Sequence, residues 1–251
     1  MNAGPQGRDP ALAGCRIIVS GNSAAHDPVS SRGAGTTVRE LAQVLAGAGA
    51  RVSRIAPQRL RAPAPAVLRR AVLRTGSGGV DAVVFASSAA SWIAAAEVLG
   101  VLDTHRRRAE AGRLLLVTSD PADADGLHRA ELPARRVADP AELAHAVVAH
   151  YQGGSASLPT DAGRLEVRSG GVVVDEHFIP LSRGGSGVIE ALFLARGRVL
   201  SRAEIGRSLP GRERSGRAVE VAVARLRESL DGRELVQTVV KRGYRLAVTE
   251  R

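Results

Sequence analysis

The residues best suited to chemistry lie toward the C-terminal end, where an arginine-bearing helical pattern is followed by a short hairpin pattern with a cationic tip. Between 217 and 230, Val219, Val223, Leu226 and Leu230 recur at helical spacing and define a single buried stripe. Opposite it stand Val221, Ala224, Arg225 and Glu228. An arginine can pair with the edge of guanine while an aliphatic neighbour touches a thymine methyl, so this face suits the major groove of duplex DNA. A solvated helix with one arginine would read the same, and the helix alone does not separate the two. The run LVQTVVKRGYRL at 235–246 shifts the balance: two β runs flank a tip holding Lys241 and Arg242, and Gly243 is able to take a positive φ. A charged hairpin tip beside a basic helix reaches phosphates or the minor groove.

Other polar residues offer less specific chemistry. Ser20, Gly21, Asn22, Ser87, Ser88, Thr118 and Ser119 follow or end apolar runs of strand length, where an open α/β sheet binds ligands. Their hydroxyl, amide and backbone donors suit a carboxylate or phosphate of a small-molecule effector, and equally suit ordinary helix capping. His145 and His150 share a helical stretch but are turned apart by their five-residue spacing, and no carboxylate or thiol completes a metal site. Gly76-Ser77-Gly78-Gly79 lacks the Lys-Ser/Thr of a phosphate-binding loop and reads as a turn. Arg106-Arg107-Arg108 reads as solvated helix surface, with DNA contact as the alternative. No cofactor or metal is expected, and the single cysteine, Cys15, excludes an internal disulfide and suits a reducing compartment.

The elements that must position these groups fall into two rhythms, as 251 residues allow. From 15 to 151, strand-length apolar runs at 16–20, 51–55, 81–86, 113–118 and 134–137 alternate with helical stretches at 37–47, 65–74, 88–101, 121–130 and 140–151. This predicts an α/β layer structure, a flavodoxin-like parallel sheet with crossover helices, in which Ser88 caps the third helix. Residues 1–14 read as a disordered N-terminus without a signal sequence, and no apolar run is long enough for a membrane span, so a cytoplasmic protein is expected. QGGSASLPTDAG at 152–163 has the composition of a linker. After it, 164–249 reads as an α+β domain: short strands at 165–167, 172–174 and 177–179, a helix from Ser182 to Ala195, a short helix ended by Pro210, then the third helix and the hairpin. Ser201 and Glu204 form a capping box at the start of the short helix. The net charge of +10 and pI near 11.3 favour a polyanionic partner, although an arginine-rich chain whose only lysine is Lys241 is also what a high-GC genome produces.

The segment from about 165 to 248 resembles the OmpR/PhoB-type winged helix-turn-helix domain. The resemblance rests on GRVLSRAE at 197–204 against the family's GRVLSRxE, on 219–230 against VDVHIxRLRxxL, and on 238–245 against TVRGxGYR. It implies a bacterial transcriptional regulator whose recognition helix reads the major groove, with base contacts from Val221, Ala224 and Arg225 and backbone contacts from Arg217 and Arg227. Arg202, at the start of the short helix, and the tip residues Lys241 and Arg242 join the expected DNA contacts. Relatives touch RNA polymerase through the loop that here spans 209–216, with Arg212, Glu213 and Arg214. Two departures stand out. Val240-Lys241-Arg242 replaces the family's Arg-Gly-x, and Gly184, Gly185 and Gly187 weaken the first helix by up to about 1 kcal/mol each.

The α/β half lacks the chemistry of a phosphoacceptor receiver, because its first strand ends Val19-Ser20-Gly21 and its third Phe85-Ala86-Ser87, without the carboxylates that Mg²⁺ and phosphoryl transfer need. LAQVLAGAGAR at 41–51, VDAVVFASS at 80–88 and the stretch 139–148 instead resemble one lobe of uroporphyrinogen-III synthase. That resemblance implies a sensor or dimerisation lobe, with a homodimer open. The alternative it implies is a synthase of tetrapyrrole biosynthesis fused to a DNA-binding domain.

Overall fold

A computed structural model describes residues 9–21, 37–56, 64–86, 89–153, 157–209 and 215–249. They form two compact units, Ala11–Ser155 and Ala156–Arg251, with Asp9 and Pro10 counting with the latter.

In the first unit, strands and helices alternate as β1 (Arg16–Ser20), α1 (Val38–Gly47), β2 (Arg51–Ile55), α2 (Ala66–Gly76), β3 (Ala82–Phe85), α3 (Ala90–Val98), α4 (Leu102–Glu110), β4 (Leu115–Thr118), α5 (Pro121–Arg129), β5 (Arg135–Arg136) and α6 (Leu143–Gln152), the last led by a 3-10 turn at Pro140–Glu142. The sheet is parallel throughout, in the order β2-β1-β3-β4-β5. That is the doubly wound, flavodoxin-like order, with the chain reversing direction across the sheet between β1 and β3. Because side chains alternate along a strand, β1, β3 and β4 feed two cores at once. Ile17, Val19, Val84 and Val117 meet Leu41, Leu45, Leu143 and Val147 on one face. Ile18, Val83, Phe85 and Leu116 meet Val72, Trp92, Ala96 and Leu127 on the other. Thr37 opens α1 with a capping box, its hydroxyl accepting from Glu40 N–H at 3.2 Å.

Three expectations for this half need correction. The N-terminus is not disordered up to residue 14: Ala11 to Gly14 form a turn in which Leu12 is fully buried and donates its N–H to Ala48 O at 2.9 Å. One large apolar side chain outweighs the polar neighbours that suggested disorder. The helix expected over 88–101 stops at Val98 and α4 follows, with His105 and Arg108 buried against the rest of the unit. The Arg108 guanidinium donates to the carbonyls of Thr75 at 2.7 Å, Val80 at 3.2 Å and Arg113 at 3.0 Å, so it is neither solvated nor free to meet DNA. Ser88, the expected cap, lies outside the described residues; at the start of α3 Ala89 donates its N–H to the Asp123 carboxylate at 2.7 Å.

The second unit contains β6 (Ser157–Thr160), β7 (Gly163–Arg168), β8 (Gly171–Val174), β9 (His177–Pro180), α7 (Arg183–Leu194), α8 (Arg202–Gly206), α9 (Gly216–Ser229), β10 (Val236–Val239) and β11 (Gly243–Leu246). β6 to β9 make an antiparallel sheet in sequence order, and β10 and β11 a separate hairpin. The stretch 152–163 is therefore not a linker throughout. Residues 157–160 pair with β7, Leu158 opposite Leu165, because Leu158 is buried in the same core as Leu165, Val188 and Leu192. Glycine in α7 also has a use the helix propensity scale does not express. A Cβ on Gly187 would lie 2.5 Å from Ser208 O, so its absence lets α7 approach the chain just beyond α8.

Candidate nucleic-acid interface

Local hydrogen bonding sets where α8 and α9 begin. Ser201 accepts from Glu204 N–H at 3.2 Å while the Glu204 carboxylate accepts from Ser201 N–H at 2.8 Å, and Arg198 pairs with the same carboxylate at 3.0 Å. The Ser201 N–H, then the Arg198 guanidinium and the Ser201 hydroxyl, hold the Glu204 carboxyl well below the usual carboxylate range, at about 2. Ser215 caps α9, accepting from Ala218 N–H at 3.2 Å. Helix α9 then buries Val219, Val223, Leu226 and Leu230 in the core shared with α7 and α8. Its opposite face carries Arg217, Val221, Ala224, Arg225 and Glu228, all exposed, with Val221 43 % accessible.

The hairpin that follows is fastened to the segment before α8. Leu200 and Tyr244 exchange both main-chain hydrogen bonds, N to O at 2.8 and 2.9 Å, which adds a third, single-residue strand to β10 and β11. That close pairing requires glycine at 243, where φ is +136° and a Cβ would lie 2.0 Å from Leu200 O. Arg242 N–H closes the turn onto Val239 O at 3.0 Å, leaving Val240, Lys241 and Arg242 exposed at the tip. Lys241 takes a left-handed φ of 62°, in the place where the OmpR/PhoB pattern has glycine, and Val240 is 77 % accessible. Among the described residues, the side chains of Arg217, Arg225, Lys241 and Arg242 form no hydrogen bond or ion pair. Four cations are thus available on two adjacent elements, with the apolar Val221 and Ala224 between those of the helix.

Arg202 and Arg227, grouped with these cations on sequence grounds, are held within the unit. Arg202 donates Nε to Glu220 at 2.8 Å, and its guanidinium lies 5.6 Å from the Tyr244 ring centre. Arg227 donates Nε and Nη2 to Val236 O at 3.2 and 2.8 Å and Nη2 to Thr238 Oγ1 at 2.8 Å, with its Cζ 5.9 Å from the same ring. Sequence reasoning passed over Tyr244 and Thr238 as their partners. A signal was present: Arg227 follows Leu226 and stands one turn from both Val223 and Leu230, at the flank of the buried stripe rather than opposite it. The expected polymerase-facing residues Arg212, Glu213 and Arg214 lie outside the described residues, as does Pro210.

At the ends of the parallel strands, the expected ligand donors fall only in part within the described residues. Asn22, Ser87 and Ser88 lie outside the described residues. Ser20 and Thr118 are buried at the strand ends, Ser119 is half-buried, and Thr118 Oγ1 accepts from Asp120 N–H at 3.1 Å. Asp120 in turn caps α5, accepting from Ala122 N–H at 2.7 Å. Burial raises the Asp123 carboxyl, against the Ala89 N–H that stabilises its charge. Among the described residues, no group of three or more His, Cys, Asp or Glu is placed to hold a metal ion, and no helix is long and apolar enough to cross a membrane.

An antiparallel sheet leading into three helices, the third with an open cationic face, and a closing hairpin define the second unit as a winged helix-turn-helix domain. Residues 175–246 match the family described as transcriptional regulatory protein, C terminal. Over those residues the chain carries a transcriptional-regulator domain of the OmpR/PhoB type. Among solved structures, the DNA-binding domain of Klebsiella pneumoniae RstA, solved in complex with the RstA box, is similar at 23 % identity over 36 % of this chain and 96 % of that one, with a TM-score of 0.31. The response regulator DrrB of Thermotoga maritima, an OmpR/PhoB homolog, is similar at 14 % identity over 93 % of this chain and 99 % of that one, with a TM-score of 0.32. No curated protein matches the chain.

Proposed function

We propose that the protein is a sequence-specific regulator of transcription that binds duplex DNA through its winged helix. The observation that carries this reading is the set of exposed, unpaired cations: Arg217 and Arg225 on α9 flank Val221 and Ala224, and Lys241 and Arg242 form the tip of the adjoining hairpin. Unpaired guanidinium and ammonium groups bind phosphate by releasing its counterions, whereas sequence is read by side chains that reach base edges. Arg225, Val221 and Ala224 take the base-reading role in the major groove, and Arg217, Lys241 and Arg242 the backbone role. The match of residues 175–246 to the family of transcriptional regulatory protein C-terminal domains supports duplex DNA as the ligand class.

The first unit serves as a sensor or dimerisation module and not as a phosphoacceptor. Its strand order is shared by flavodoxin-type and receiver-type sheets, so the order alone does not distinguish them. The non-phosphoacceptor reading is supported by the strand ends, where Ser20 closes β1 and Ala86 follows β3 and phosphoryl transfer would need carboxylates. The resemblance to a synthase lobe concerns this same sheet; a small-molecule effector and a second copy of the chain are the candidate partners of this unit, and RNA polymerase is a candidate partner of the winged helix.

The test is capture of genomic fragments by the purified full-length protein, alongside a variant carrying Arg225→Ala, Lys241→Ala and Arg242→Ala. A motif shared by the captured fragments and lost by the variant is the expected result. On the recovered site, Arg225→Ala alone should weaken one base position by about 1–3 kcal/mol and leave random duplex nearly unaffected. Equal loss on both would remove Arg225 from base reading, and capture without a motif would remove sequence specificity from the proposal.

A further inference from the structure

Arg227 differs from Arg217 and Arg225 in where its guanidinium goes. Two of its nitrogens converge on Val236 O at 3.2 and 2.8 Å, and one of them also reaches Thr238 Oγ1 at 2.8 Å. Thr238 pairs across the hairpin with Tyr244, whose ring Arg227 overlies at 5.9 Å. One side chain from the recognition helix therefore touches both strands of the wing. Among the described residues, every hydrogen bond between α9 and the hairpin comes from Arg227. The hairpin needs such support, because a two-stranded ribbon is marginal by itself in water, and its other main-chain ties among the described residues run from Tyr244 to Leu200 and, past the end of β11, from Ala247 to Leu235 and Asp161 and from Thr249 to Pro159.

We propose that Arg227 is a positioning residue that clamps the wing to the recognition helix, so that it acts on DNA affinity through Lys241 and Arg242 rather than by touching a phosphate. This rests on the DNA-binding reading above. The planar guanidinium is suited to the task because its fork spans a carbonyl and a hydroxyl at once while stacking on an aromatic ring, which an ammonium cannot reproduce. With the clamp in place, the tip cations are held at a fixed offset from the base-reading face. Without it, their contacts must first be ordered at the moment of binding, which lowers affinity.

The experiment measures affinity of the full-length protein for a fluorescein-labelled duplex of mixed sequence as a function of salt. It compares wild type, Arg227→Ala, a tip variant with Lys241→Ala and Arg242→Ala, and the combination of all three. Arg227→Ala should weaken binding about five- to tenfold in the wild-type background and less than about twofold in the tip variant, because its effect passes through the tip. Arg227→Lys should fail to restore affinity, and Thr238→Val, which leaves the charge unchanged, should reproduce part of the loss. Equal fold-losses in both backgrounds, each with a salt slope shallower by about 0.9 and rescued by lysine, would make Arg227 a phosphate contact and overturn the proposal. Hydrogen exchange on the free protein supplies a readout without DNA. The amides of β10 and β11 should exchange faster in Arg227→Ala while those of α7 do not, and unchanged wing exchange would overturn the clamp. If α7 also loses protection, Thr238→Val carries both arms. A wild type that shows no salt-dependent binding defeats the DNA reading itself, and the exchange arm still decides whether the clamp exists.

Discussion

Single atoms decide how the wing and the first unit respond to change. Gly243 combines a φ of +136° with a backbone oxygen 2.0 Å from where a Cβ would sit, whereas Gly232 has a φ of +77° with open space around it. Gly243→Ala should therefore cost roughly 1–3 kcal/mol of strain and break the Leu200–Tyr244 pairing as well, while Gly232→Ala should cost less. Urea denaturation of the two variants checks this, and equal losses would show that the backbone angle alone matters. His105 sets a second expectation. It is fully buried, donates Nε2–H to Val72 O at 3.0 Å and lies with its ring 6.1 Å from Trp92. Burial foremost, with the Arg108 charge, lowers its pKa from 6.5 against the Val72 hydrogen bond. The unfolded chain then binds the proton more readily than the folded one, so stability falls as pH drops below about 6.5 toward the folded value. Melting curves followed by Trp92 fluorescence at stepped pH should show that fall, and a His105→Phe variant should flatten it, with the His150 ring, also lowered by burial, contributing what remains.

Elements in the second unit depend on their caps more than on their length. Helix α8 spans only Arg202–Gly206, too short to persist on propensity, and its start is held by the reciprocal bonds of Ser201 and Glu204. Ser201→Ala should cost about 1 kcal/mol in equilibrium unfolding. Glu204 adds a pH signature with a determinate sign. Its folded pKa, about 2, lies below the ordinary value of 4.5, so its stabilising effect is complete above the unfolded value and is lost as pH falls through that interval toward about 2. Comparing wild type with Glu204→Gln across this range should show the difference vanish at the acid end, and a constant difference would mean that the carboxylate charge contributes nothing to the cap. Exposure to solvent keeps the effect modest.

On the scale of the whole molecule, the division at Ser155 and Ala156 separates a parallel α/β unit from the winged helix, each with its own core. The chemistry expected of the first unit is binding rather than catalysis. Incubation with acetyl phosphate and Mg²⁺ should leave the mass of the protein unchanged, because neither β1 nor β3 ends in a carboxylate; a phosphorylated product would overturn the proposed role of the lobe. Likewise the purified protein should not convert hydroxymethylbilane, since the synthase cleft is built between two lobes and this unit supplies one sheet. Turnover would instead establish the fused-enzyme alternative.

Much of this protein was legible in its sequence because local rules carry it. The alternation of apolar runs with helical stretches read out the five parallel strands, and the spacing of Val219, Val223, Leu226 and Leu230 read out the face of α9 that enters the core. The capping box at Ser201 and the special conformation at Gly243 were likewise legible, since each depends on residues within one turn. Tertiary structure alone decided the rest, for reasons that lie in distance along the chain. Leu12 is ordered because Ala48 accepts its N–H, Leu158 pairs as a strand because the neighbouring strand buries Leu165 beside it, and Asp123 accepts the Ala89 N–H just before a helix that starts at Ala90. Above all, composition and periodicity count Arg225 and Arg227 as equal cations. Only the folded hairpin, which brings Val236 and Thr238 beneath one guanidinium and leaves the other in solvent, gives them different work, because a charge is defined by its type but its partners are defined by what the fold brings within hydrogen-bond reach.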